Sequence, residues 1–193
     1  MTLRERKKQQ ARAAMVEATV SLSFERGFDV VTVEEIAERA VVSRRTFFRY
    51  FASKERAFFD GHEARLVRFR ESLTRPSGAE APYARVRRCL LELAADYDAD
   101  RARFTERFRV IEQSRTLLVY DLDLDRRFEA AIVEVLSPAS SDPTERLRAQ
   151  VVGAALFGVV RAVLRHWFHN PDSAPLVQLG EDALQLLEEG FRP

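Results

Sequence analysis

The sequence predicts an all-α protein in which a small N-terminal helical module is joined to a larger helical bundle. Proline and glycine are scarce, at seven of each in 193 residues. No stretch sustains the alternation of apolar and polar residues expected of a half-buried strand; apolar residues recur instead at helical spacing. The interruptions are few: Gly27 after a long amphipathic pattern, then "RPSGAEAP" (75–82), "SPASSDP" (137–143) and "NPDSAP" (170–175). Such turn signals divide the chain into about nine helices. Before residue 56 the helices are short and closely spaced, and beyond it they run long. This predicts a module at 1–56 and a bundle at 57–193, joined within a helix, with no flexible linker, internal repeat or low-complexity tract.

Bulk properties narrow the class. With 46% hydrophobic and 32% charged residues, the chain has the profile of a soluble globular protein rather than a disordered or fibrous one. A net charge of +1 is too small for indiscriminate binding to polyanions. The distribution says more: residues 1–60 hold 12 Lys/Arg against 9 Asp/Glu, leaving 19 against 21 for the rest. The single cysteine, Cys89, excludes an intramolecular disulfide and suits a reducing compartment as a small core residue. The start, "MTLRERKKQQARAAMVEA", is charged where a secretion signal would be apolar. The longest apolar run, 151–160, is half the ~20 residues of a membrane span. A soluble, cytoplasmic protein is expected.

In the N-terminal module, Thr32-Val33-Glu34-Glu35 has the spacing of a capping box, with the Thr32 hydroxyl and Glu35 carboxylate each satisfying a backbone amide of the other. A helix starts there, turns Ile36, Ala37 and Ala40 toward a core, and stops at "VV" before Ser43, a good N-cap for the next. Two short helices joined by a tight turn make a helix-turn-helix. On a wheel of about 100° per residue, Phe47, Phe48 and Phe51 share one third of the circumference, with Arg45, Thr46, Arg49 and Tyr50 opposite. Arg44 lies on the aromatic side but, in the first turn, can reach past the helix end. Taken alone this is an exposed helix with solvated arginines. Behind a capped helix and a turn it suits the DNA major groove, where arginine pairs bidentately with guanine while threonine and tyrosine hydroxyls meet phosphate.

Here the sequence resembles the DNA-binding domain of the TetR family of bacterial transcriptional regulators. Phe24, Gly27, Thr32, Ile36, Ala37, Val42, Ser43, Thr46, Phe51, Lys54 and Glu55 occur in order at the family's spacing, over roughly residues 10–60. The resemblance implies that Thr32 caps the second helix at a phosphate, that Ser43 to Tyr50 form the recognition helix, and that Lys54 starts a fourth helix on the DNA backbone. The DNA-binding set is thus Thr32, Ser43, Arg44, Arg45, Thr46, Arg49, Tyr50 and Lys54. Two residues depart from the pattern. Val41 stands where the turn usually has glycine, and a β-branched residue at positive φ is disfavoured. Phe48 stands where the family often has tyrosine, removing one phosphate-binding hydroxyl that Tyr50 could replace. The segment "RERKKQQAR" reads either as a basic arm for phosphates or minor groove or as a solvated helix start.

Beyond residue 56, helical stripes include Val86, Cys89, Leu90, Leu93 and Tyr97; Phe104, Phe108 and Ile111; and Leu117, Leu124, Phe128, Ile132 and Val135. Burial of each large side chain stabilises by ~1.5–3 kcal/mol, so a core explains them without a ligand. In the TetR family, however, such a bundle encloses an effector pocket. The run from 107 to 132 with "LRHWF" (164–168) resembles a subgroup whose C-terminal domain binds acyl-CoA-like ligands. This implies an apolar or acyl effector lined by Phe104, Phe108, Tyr120, Phe128 and Phe157. Residues 151–164 are apolar nearly all round, which requires burial on more than one side. In the last helix Leu176, Leu179, Ala183, Leu186 and Gly190 recur at heptad-like spacing. With the resemblance, these predict a homodimer through the last two helices, forming a four-helix bundle.

Other chemistries are weakly supported. "DYDAD" and "DLDLD" begin like a calcium loop, but Arg101 and Arg107, or Arg126 and Ile132, stand where glycine and glutamate are needed; acids at helix ends account for them better. His166 and His169 lack a third metal ligand and suit a helix C-terminus. No nucleophile elbow, phosphate loop or dinucleotide fingerprint occurs. The expectation is a non-enzyme with no catalytic residue, cofactor or metal: a repressor released from a palindromic operator by a small effector. A small helical enzyme and a constitutive DNA-organising protein are the readings from other classes.

Overall fold

A computed structural model describes residues 2–75, 78, 80–137 and 142–190. Residues 76, 77, 79 and 138–141, inside the two expected loops, lie outside the described residues. The described residues form ten α-helices and one 3-10 turn, with no strand. In order they are α1 (Leu3–Arg26), the 3-10 turn (Phe28–Val30), α2 (Val33–Arg39), α3 (Arg44–Tyr50), α4 (Lys54–Phe58), α5 (Asp60–Thr74), α6 (Pro82–Asp98), α7 (Arg101–Gln113), α8 (Arg115–Leu136), α9 (Pro143–His169) and α10 (Leu176–Glu189). The all-α expectation holds. The short break at Phe59 between α4 and α5 was not legible in the sequence.

The chain divides into two units, one of residues 1–64 with 106–123 and one of 65–105 with 124–193. In the first, Met15, Val16, Ala18 and Leu22 of α1 pack with Ile36, Phe47, Phe51 and Ala57 in one small core. Gly27 ends α1 at φ 86°, a conformation that suits glycine, with its N–H donating to the Ser23 carbonyl. The basic N-terminal segment is not an extended arm. It forms the exposed first turns of α1, opened by a Thr2–Glu5 capping box. Arg12, from its end, pairs with Asp60 and lies 4.9 Å over the Phe51 ring.

In the second unit Leu66, Phe69 and Leu73 of α5, Val86, Cys89 and Leu90 of α6, Phe128, Ala131 and Ile132 of α8, Leu156 and Phe157 of α9, and Leu184 of α10 share one core. Gly153 lets α8 and α9 approach, because a Cβ there would stand 2.5 Å from Val133 Cγ2. Cys89 is buried and donates to Ser72 Oγ at 3.2 Å. Asp98 closes α6 and accepts from the Leu176 and Val177 amides at 2.7 and 3.0 Å, so one acid of "DYDAD" caps α10. "DLDLD" sits instead within α8, a correction to the helix-end reading. His166 and His169 do lie in the last turn of α9. Among the described residues no three His, Cys, Asp or Glu gather to hold a metal.

One helix behaves differently from the expectation. By length and composition α9 is long and apolar enough to cross a membrane, yet only 22% of that apolar window is buried within the chain. The contiguous run 151–160 understated it, because isolated polar residues do not break a helical stripe. Leu147, Val151, Ala154 and Ala162 are exposed, and with Gly158 they follow one face at helical spacing. On α10, Leu186 is exposed and Leu179 and Ala183 half-buried. Leu176, expected in that same stripe, is buried inside the chain and lines a cleft with Leu184.

Candidate nucleic-acid interface

The turn between α2 and α3 is built from local hydrogen bonds. Thr32 N–H donates to Glu35 Oε2 at 2.8 Å, and Glu35 N–H donates to Thr32 Oγ1 at 3.3 Å, completing the capping box. The Thr32 amide, then Arg26 and then the Thr32 hydroxyl stabilise the Glu35 carboxylate and bring its pKa down to about 2. At the far end of α2, Val41 N–H donates to the Glu38 carbonyl and Val42 N–H to Ala37. This closure requires Val41 at φ 54°, with its side chain 91% exposed. The valine thus adopts the glycine-like backbone and keeps the turn at a cost in strain.

Ser43 caps α3: Thr46 N–H donates to Ser43 Oγ at 3.0 Å, and the two hydroxyl oxygens are 3.0 Å apart. Phe47 and Phe51 are buried and hold α3 on the core, as the wheel predicts. Phe48 is not. It is 45% exposed, packs edge-on against Phe47 at 5.6 Å, and lies beneath the Arg44 guanidinium at 5.5 Å. A seven-residue helix has too narrow a contact stripe to bury three phenylalanines, so the middle one is left at its margin. Tyr50, expected outside, is half-buried against the same core.

Arg45 and Arg49 stand exposed and form no ion pair among the described residues, though Arg49 lies 5.5 Å from the Tyr50 ring. Arg44 pairs with Glu34 of α2 at 3.0 Å, both side chains more than half exposed. Such a pair contributes little and exchanges readily for a phosphate or base. Lys54 has a different task from the expected one. It begins α4, but its ammonium donates to the carbonyls of Phe28 and Val31 at 2.8 Å each and Asp29 at 3.3 Å, 4.4 Å from the Phe28 ring. All three donors are directed at the 3-10 turn, so this side chain fastens the turn rather than facing outward.

Of the five aromatics expected around an effector, Phe104, Phe128 and Phe157 belong to the second unit and Phe108 and Tyr120 to the first. Phe128 and Phe157 stack in the core of the second unit at 6.4 Å. Phe104 meets Tyr97 at 4.5 Å. Phe108 and Tyr120 belong to the first unit, where Tyr120 stacks on Phe59 at 4.8 Å. Two of the clefts in the second unit lie along α6 and have other linings. One is apolar, between α6, α9 and α10, and includes Leu90, Tyr97, Val159, Val163, Leu176 and Leu184. The other, of about 210 Å³, is polar and includes Arg65, Arg68, Arg75, Ser72, Glu92 and Asp96. Arg65 escaped sequence reasoning. The one available signal was its position on α5 in line with Phe69 and Ser72, four and seven residues on.

Residues 15–58 match the family described as bacterial regulatory proteins, tetR family, and residues 80–192 match the MftR C-terminal domain. The chain belongs to the TetR family. Its relatives include a Mycobacterium tuberculosis regulator named MftR, whose name assigns it to mycofactocin biosynthesis, at 25% identity over 85% of this chain and 83% of the relative. Another is the HTH-type transcriptional regulator TcmR of Streptomyces glaucescens, at 29% identity over 89% and 79%. Among solved structures, the TetR-family repressor FadR of Thermus thermophilus in complex with lauroyl-CoA has a TM-score of 0.61 at 24% identity, over 94% of this chain and 95% of that one. The SmeT complex with triclosan has a TM-score of 0.69 at 19% identity, over 95% and 94%. These structures share the fold. The chain is thus a TetR-family transcriptional regulator, with a helix-turn-helix in its N-terminal part and a helical MftR-type C-terminal part.

Proposed function

We propose that this regulator is a cytoplasmic homodimeric repressor that occupies a palindromic operator and leaves it when a small apolar or acyl effector enters the C-terminal bundle. The observation that carries the DNA-binding half is α3: a helix clamped at its base by Phe47 and Phe51 and capped by Ser43, with Arg45 and Arg49 exposed and free of ion pairs among the described residues. A fixed helix loses little freedom on entering the major groove, and two unpaired guanidinia have no internal ion pair to break. Thr32, Ser43, Thr46 and Tyr50 are assigned to phosphates and Arg44 to a phosphate or base after release from Glu34. Lys54 is left out of the contacting set because its ammonium is committed to three carbonyls.

The division of labour is residues 1–56 for DNA and 57–193 for effector and dimerisation. Exposed apolar faces on α9 and α10 favour a twofold four-helix bundle. That symmetry would set two recognition helices about one DNA turn (~34 Å) or somewhat more apart. The effector acts by binding more tightly to a dimer whose spacing mismatches the operator.

Binding-site selection from random duplex DNA tests the reading. A palindrome of two half-sites is expected, and its retention should fall when a bacterial acyl-lipid extract is added. Recovery of no preferred sequence would favour a DNA-organising protein instead.

A further inference from the structure

The polar cleft of the second unit is lined by a cation that has no counterion among the described residues. Arg65 is only 6% exposed, and its Nε and Nη2 have no hydrogen-bond partner. Its guanidinium lies 4.9 Å from the Tyr97 ring centroid and 4.6 Å from that of Phe104. The ring faces attract the charge but accept no conventional N–H hydrogen bond to oxygen, and burial of an unpaired ion is costly.

The two acids that line the cleft are occupied elsewhere. Glu92 accepts from Ser72 at 2.7 Å and from Arg88 at 2.7 Å. Those bonds, with the hydroxyl first, hold its pKa below the usual carboxylate range. Asp96 pairs with Arg68 at 3.1 Å. Arg75 adds a further positive charge to the lining. The cleft is therefore lined by a buried cation, two of whose donors meet no acceptor among the described residues, and by an excess of positive charge. Its neighbour is apolar: Leu93 lines both clefts, and Tyr97, which borders Arg65, lines the apolar one.

We propose that Arg65 binds the anionic head, a carboxylate or phosphate, of an amphipathic effector whose apolar body lies against Leu93 and Tyr97 toward the cleft between α6, α9 and α10. This rests on the reading that the C-terminal bundle takes an effector, and it adds the head-group chemistry and the residue that selects it. An anion at Arg65 satisfies donors that the folded chain leaves open, whereas a neutral head of equal size leaves them unmet. The apolar cleft is narrow as it stands, at about 40 Å³, so a long tail enters by parting its side chains. That movement is the kind of differential interaction through which a ligand shifts a conformational equilibrium.

The test is calorimetric titration of the full chain with dodecanoate, dodecyl phosphate, dodecanol and inorganic phosphate, all below micellar concentration. Dodecanoate or dodecyl phosphate should bind about ten- to hundred-fold more tightly than dodecanol, in line with a charge-assisted hydrogen bond. The tighter of the two distinguishes a carboxylate from a phosphate head. Arg65→Met should erase the preference while leaving dodecanol affinity unchanged, and Arg65→Lys should retain part of it.

Equal affinity for dodecanol and the two anions in the unmutated chain would overturn the proposal without recourse to any variant. So would a preference that survives in Arg65→Met, inorganic phosphate binding as tightly as dodecyl phosphate, or no binding by any amphiphile. Operator release is measured separately. A head-group preference without release would keep the Arg65 site and sink the regulatory reading, whereas release by dodecanol and dodecanoate alike would do the reverse.

Discussion

In the unit that carries α1 to α4, a small shared core holds α3 while Arg45 and Arg49 face outward with no ion pair among the described residues; in the unit built on α6, α9 and α10, an arginine with no counterion among the described residues lies inside and α9 leaves an apolar face outside. The first positions α3 from within one chain and offers charge to a polyanion. The second is energetically unfinished, since a buried ion without a counterion and an exposed apolar helix both cost free energy. A second copy of the chain and an anionic ligand would each remove one of those costs. The contrast supports the proposal that DNA is recognised by preformed surface chemistry and that dimerisation and effector binding draw on interactions the single chain leaves open.

The largest expected effect breaks the unfinished side. Val151→Glu with Leu186→Glu puts charge on the exposed faces of α9 and α10. It should weaken the dimer by ~100-fold or more, because charges buried at the centre of an interface are costly. Sedimentation equilibrium reads this directly, and an unchanged dimer would place the interface elsewhere.

Next comes the finished side. Arg45→Ala and Arg49→Ala should each lose roughly ten- to hundred-fold in affinity for the selected operator, matching ~1–3 kcal/mol per base contact. Melting temperature should stay nearly constant, since neither side chain forms an ion pair among the described residues. Parallel loss of stability would return these arginines to a structural role.

A smaller effect sharpens the account of the second unit. Asp125 in α8 is half-buried, and burial, with a lesser contribution from Glu129, pushes its pKa up to about 6 against the pull of Arg161. The folded protein then holds more protons than the unfolded chain between about pH 4 and 6, so this group's contribution to stability falls as pH rises through that window. Asp125→Asn should flatten that dependence and raise the melting temperature at neutral pH by a few degrees. A lower melting temperature at neutral pH would mean that the Arg161 attraction outweighs burial.

The smallest effect concerns the α2–α3 turn. Val41→Gly relieves a β-branched residue at positive φ but raises the entropy of the unfolded chain, for a net gain of roughly 0.5–1 kcal/mol. Chemical denaturation checks it, with operator affinity expected to stay the same.

The N-terminal site was largely legible because its determinants are local. The Thr32–Glu35 capping box, the Ser43 cap, the burial of Phe47 and Phe51 and the positive φ at Val41 each depend on residues within about one helical turn, where sequence spacing fixes geometry. Phe48 and Tyr50 escaped the wheel because an azimuth does not state how wide the contact stripe is. Lys54 escaped because its carbonyl partners are more than twenty residues away in sequence.

By itself, then, the sequence determined the all-α class, the helix-turn-helix and the outward placement of Arg45 and Arg49, since helical period and caps are short-range properties. Tertiary structure alone decided that Arg65 of α5 meets Tyr97 and Phe104 with no counterion among the described residues, and that Asp98 caps α10. It also decided that Leu176 turns into the chain while Leu186 stays outside. These outcomes depend on which helices come together, and no periodicity within one helix encodes its neighbour.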